Sequence, residues 1–148
     1  MLRDIQPGRV PWLVLRGVLM NIREYIGLDY EDRGRGPNAF DCLGFVSYVF
    51  RRELNIDLPD FLDTYRSAED SSGVAAAINK RKVDWERVDN PRPLDLILFN
   101  VLGHPTHVGL FISNDDFLHC FKGTGSCLER LNSLTWGRRV LGFYRWKG

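Results

Sequence analysis

Three side chains in this sequence have types that could combine in covalent chemistry: Cys42, His107 and His119. A cysteine nucleophile needs a base to take its proton and a third group to orient that base. Cys42 follows Asp41 and leads the apolar stripe Phe45, Val46, Val49, Phe50 and Leu54, a pattern that predicts a helix from Cys42 to Leu54 capped by Asp41. In the first helical turn, unpaired N–H groups and the macrodipole favour negative charge, so the thiol is expected to fall below its free value of ~8.5. Taken alone, the same cysteine fits a small buried hydrophobe at a helix start.

His107 opens the strand pattern His107-Val108-Gly109-Leu110-Phe111-Ile112, and His119 lies on the next one, Phe117 to Phe121. A two-residue Asn114-Asp115 turn would put the two rings on opposite faces of the sheet. A three-residue loop or a bulge would make them diagonal neighbours at roughly 7 Å, near enough for the imidazoles to hydrogen-bond. The odd loop or the bulge is therefore expected.

The elements that must position these residues divide along the chain. Leu13, Val14, Val18, Ile22 and Ile26 recur at helical spacing, predicting an amphipathic helix from Val10 to Ile26 that stops at Gly27. Leu28 to Ala39, rich in glycine and charge, reads as a loop, and Phe61 to Lys80 as one or two short helices. Beyond Lys82 six short runs predict strands: Val83 to Val88, Leu94 to Phe99, His107 to Ile112, Phe117 to Phe121, Cys127 to Leu131 and Val140 to Trp146. Helices first and an antiparallel sheet after define an α+β fold in a single domain over residues 1–148, with 1–9 an extended N-terminal segment.

Composition narrows the partners. Twenty Lys and Arg against 19 Asp and Glu give a net charge of +1, which supplies no electrostatic case for nucleic acid. Three cysteines are an odd number at unrelated spacings, which argues against a disulfide-stapled fold. The stretch Val10 to Met20 is interrupted by Pro11 and Arg16, too short to span a bilayer and unlike a signal peptide, so the chain is expected to be made in the cytoplasm without one. His104, His107, His119, Cys120 and Cys127 offer zinc-type donors, but His119 and Cys120 are consecutive on a strand and point to opposite faces, and no Cys-x2-Cys pair closes a tetrahedral set; no metal or cofactor is expected. Trp136, Phe143, Tyr144 and Trp146 read as aromatics packing on the sheet, and Lys80-Arg81-Lys82 as a solvated helix end.

The runs Phe40-Asp41-Cys42-Leu43-Gly44-Phe45-Val46, Pro93-Leu94-Asp95-Leu96-Ile97-Leu98-Phe99, His107-Val108-Gly109-Leu110 and Phe117-Leu118-His119 together resemble the NlpC-type family of papain-like cell-wall endopeptidases. The resemblance implies a papain-like fold in which Cys42 attacks, His107 is the base, His119 is the polar third residue and Tyr30 helps hold the oxyanion with the Cys42 N–H. It implies cleavage of a peptidoglycan stem-peptide amide next to D-glutamate or diaminopimelate. Two positions depart from the family pattern: Leu43 stands where a small hydroxyl residue is usual, and Glu31-Asp32-Arg33-Gly34 replaces an aromatic-glycine-glycine run. Gly103-His104-Pro105-Thr106-His107 and the segment from Gly125 through Trp136 to Arg145 resemble the branch encoded with bacteriophage and gene-transfer-agent tails. That likeness implies a tail-tip component carried to the wall by the virion, with tail or hub proteins as partners. The alternative is a non-catalytic tail-tip plug or adaptor keeping the same fold.

Overall fold

A computed structural model describes residues 12–15, 18–59 and 84–148. The helices expected within Phe61 to Lys80, and the extended segment 1–9, lie outside the described residues.

The first described element corrects the sequence expectation. Instead of a helix there is an antiparallel pair, β1 (Trp12–Leu15) and β2 (Val18–Asn21), followed by one 3₁₀ turn over Ile22–Tyr25. Leu13 pairs with Met20 and both are buried, whereas Val14 pairs with Leu19 and both are exposed. The apolar residues thus alternate between faces with period two, and the β-branched valines suit a strand better than a helix.

Two short parallel strands, β3 (Asp29–Tyr30) and β4 (Ala39–Phe40), bracket the glycine-rich loop and deliver the chain to α1 (Cys42–Val49). Asp41 caps α1 as expected, its carboxylate accepting the Gly44 N–H at 2.7 Å and an Arg35 N–H at 2.8 Å. The helix widens into a π turn over Phe50–Leu54 and ends at Asn55, which takes a left-handed conformation. Gly44 is required where the loop crosses the helix: a Cβ there would stand 1.9 Å from the Gly34 carbonyl oxygen.

The remainder is the expected antiparallel sheet. Its strands are β5 (Trp85–Val88), β6 (Leu96–Val101), β7 (His104–Ser113), β8 (Asp116–Phe121), β9 (Gly125–Arg130) and β10 (Val140–Trp146), in the order β5-β10-β6-β7-β8-β9. Alternation gives the sheet two dressed faces. Leu96, Val108, Leu110, Ile112, Leu118 and Cys120 pack with Phe45, Val46 and Val49 of α1. Ile97, Phe99 and Phe117 face the other way, under Leu131 and Trp136 from the segment between β9 and β10.

Candidate active site

The β7–β8 hairpin decides where the two histidines point. Ser113 pairs with Asp116 across Asn114 and Asp115, both at positive φ as a type I′ turn demands, so the connection has two residues. Left alone, that turn would separate the rings. A register shift between Phe111 and Ser113 restores the parity, and Leu110 pairs with Leu118. The bulge, one of the two expected devices, is the one present. His107 Nε2 then lies 2.7 Å from His119 Nδ1.

Both rings are sealed in aromatic surroundings. Phe99, Phe121 and Trp136 lie around His107 with ring centroids 5.7, 4.9 and 5.6 Å away. Burial, then neighbouring His119, then the Arg139 charge hold His107 well below the ordinary imidazole value of 6.5. Burial also lowers His119, against an opposing pull from Glu129.

Glu129 on β9 is the residue that sequence reasoning missed. His119 Nε2 hydrogen-bonds to its Oε2, and the Trp136 side chain bonds to the same carboxylate, which these partners hold below its usual range. Glu129 lies within the Gly125 to Arg145 run, but nothing in that run assigns it a role; only the pairing of Phe117 with Glu129, once β8–β9 register is known, brings it beside His119. A carboxylate can only accept, so the His119 Nε2 carries the hydrogen and its Nδ1 accepts in turn from His107 Nε2–H. The His107 hydrogen therefore sits on Nε2 and its Nδ1 carries none, which is the protonation pattern a base needs.

Cys42 begins α1 against this sheet, with the backbone N–H groups of Val108 and Leu43 directed at its sulfur. Val108 follows His107, so the sulfur rests against the peptide of the expected base. One sequence expectation is corrected here. Cys42 is 1% exposed, and burial, followed by the adjacent Asp41 charge, pushes its thiol up to about 12 instead of down. Desolvation of a thiolate outweighs the two N–H bonds and the helix end. At rest the pair is a neutral thiol and a neutral imidazole.

Tyr30 lies on β3, half-buried; its hydroxyl donates to Asp32 at 2.9 Å and its proton is held more tightly than in free tyrosine, by burial first and then by that bond. A cleft of about 520 Å³ is lined by Tyr30, His104, Thr106, His107, Phe121 and Lys122 among others. A second hollow, about 840 Å³, also borders Tyr30 and is lined by Leu28, Asn38 and Gly123 to Gly125 among others. His104 is exposed at the rim of the first, and Cys120 faces the core with its sulfur 3.3 Å from the Phe40 carbonyl oxygen.

An α+β domain with a cysteine at the amino end of a helix and paired histidines on the adjoining sheet defines a class of papain-like domains. The NlpC/P60 family model matches residues 27–145, and the chain belongs to that family. It is 28% identical over 116 residues to a protein of Escherichia coli K12 named murein DD-endopeptidase MepS/murein LD-carboxypeptidase, covering 78% of this chain and 54% of that one. It is 27% identical to the "Probable endopeptidase p60" of Listeria welshimeri, over 86% of this chain and 21% of that protein. The chain therefore spans about half or less of the relatives it matches. Among solved structures, an NLP/P60 family protein similar to a lipoprotein from Staphylococcus aureus superposes with a TM-score of 0.58 at 25% identity, covering 82% of this chain and 37% of that one. RipD of Mycobacterium tuberculosis, described as a non-catalytic NlpC/p60 domain protein adapted to peptidoglycan binding, superposes at 0.50 with 17% identity over 82% of this chain and 87% of its own.

Proposed function

We propose that the protein is a cysteine peptidase that hydrolyses a stem-peptide amide of peptidoglycan, in the D-glutamate/diaminopimelate region. The observation that carries this is the ordered relay Glu129–His119–His107, ending on the strand whose Val108 N–H meets the Cys42 sulfur. The E. coli relative, named as a murein endopeptidase, supports the substrate class, and the Listeria relative, named as a probable endopeptidase, supports the reaction.

Because thiol and imidazole are both neutral at rest, proton transfer accompanies attack rather than preceding it. His107 Nδ1 takes the Cys42 proton as the sulfur adds to the stem-peptide carbonyl. The Cys42 N–H and the Tyr30 hydroxyl, turned from Asp32 to the substrate, receive the oxyanion. The acyl-enzyme forms as His107 returns its proton to the leaving amine, and water, deprotonated by His107, releases the acid and the thiol. His119 keeps His107 in the working tautomer throughout. The chain's work is placed on a phage tail tip, assisting wall penetration in concert with tail or hub proteins; the His104 and Gly125–Arg145 segments support that setting by resemblance.

The test is mass spectrometry of purified peptidoglycan after incubation with wild type and Cys42→Ser. New stem-peptide fragments with wild type and none with the variant are expected. A second reading, a non-catalytic wall-binding or tail-plug domain, is favoured by the 1% exposure of Cys42 and by the precedent of RipD. It predicts sedimentation of wild type with peptidoglycan and no fragments at all.

A further inference from the structure

We propose that the outer rim of the relay is also a zinc-type metal site, formed by His119, Cys127 and Glu129, and that metal there stops His107 from acting as a base. The second half of the proposal rests on the peptidase reading; the first half does not.

His119 and Cys127 are directly opposed across β8 and β9, and Glu129 lies two residues along the same face. One ligand atom from each falls within 4.8 Å of the other two. The Cys127 Sγ to Glu129 Oε2 separation is 3.6 Å, close to the ~3.5 Å edge expected when sulfur at ~2.3 Å and oxygen at ~2.0 Å share a tetrahedral ion. The His119–Glu129 pair is closer than that, so it must open for an ion to enter. β9 is an edge strand and the Glu129 side chain is 38% exposed, which gives the ion a route and leaves a coordination position for water. Thiolate, imidazole and carboxylate together suit Zn²⁺ and balance its charge. Looking for Cys-x2-Cys spacing in the sequence could not find this set, because its members meet only across a strand pair.

The consequence for the relay follows from hydrogen positions. An ion on His119 Nε2 displaces the hydrogen there to Nδ1, which must then donate to His107 Nε2. His107 in turn carries its own hydrogen on Nδ1, the atom needed for the thiol's proton. The two imidazoles keep their hydrogen count, and Cys127 releases one proton to solvent as it ligates.

Calorimetric titration of the whole chain with Zn²⁺, in two buffers of different ionisation enthalpy, is expected to give one ion bound and one proton released per chain. Cys127→Ser should weaken binding at least ~10-fold, since loss of even an outer partner costs that much. Co²⁺ should give a thiolate charge-transfer band that survives in Cys42→Ala and vanishes in Cys127→Ser. Peptidoglycan cleavage should be suppressed by Zn²⁺ in wild type, restored by chelation, and insensitive to Zn²⁺ in Cys127→Ser. Unchanged affinity or a persisting band in Cys127→Ser would overturn the site. Tight Cys127-dependent binding with undiminished cleavage would overturn the exclusion of base action. If metal-free wild type cleaves nothing, the peptidase reading fails and the calorimetry alone decides the site.

Discussion

Glu129 accepts the His119 hydrogen and thereby fixes both imidazole tautomers, so its charge matters more than its shape. Glutamine at this position keeps the volume but can present an amide N–H to His119, reversing the chain of hydrogen bonds and putting the His107 hydrogen on the wrong nitrogen. Glu129→Gln is expected to lower kcat for stem-peptide cleavage by roughly 10²-fold with little change in KM, since general-base action contributes about that much or more. A variant as fast as wild type would remove Glu129 from the relay. At this scale the sequence showed the candidate residues and not their environment. Cys42, His107 and His119 could be named from type and spacing, whereas the burial that raises the thiol comes from the core that Cys42 shares with Phe40, Val46 and Val108, which assembles only in the fold.

The helix start and the bulged hairpin carry the geometry between them. Asp41, fully buried, joins the α1 cap to Arg35, and the Gly34 carbonyl lies over Gly44. Gly44→Ala would push a methyl group into backbone 1.9 Å away, forcing α1 from its seat. A loss of about 1–3 kcal/mol, or more, is expected in denaturant unfolding; an unchanged midpoint would show that the loop crossing does not hold Cys42 in place. The α1 helix and all six strands were legible because their apolar periods are unambiguous and their turns are marked by Gly, Asn and Pro. The β1–β2 pair was misread because Leu13, Val14, Val18 and Ile22 satisfy a helical period as readily as an alternating one. Pairing with Met20 and Leu19, a contact between segments, decided it.

Across the whole molecule, burial of titratable groups sets the pH range of the fold. His107 stays neutral when folded but would take a proton below 6.5 when unfolded, so its contribution to stability is present above that pH and declines as pH falls. Cys42, Cys120 and Cys127 are all raised from 9.0 to about 12, so theirs is present below pH 9 and declines between 9 and 12. Tm is expected to hold a plateau between about pH 6.5 and 9 and to fall on both sides, with the alkaline fall reduced in Cys120→Ala; an alkaline limb unaffected by that change would show that the buried thiol is not responsible. The same enclosure holds the relay among aromatics, with a cleft reaching its inner end at His107 and edge strand β9 forming its outer rim. The most direct measurement of the central claim is the rate of amine release from a synthetic stem peptide by wild type, Cys42→Ala and His107→Ala, each verified as folded by circular dichroism. Turnover by wild type and none by either variant is predicted; a folded Cys42→Ala chain that cleaves within tenfold of wild type would contradict it.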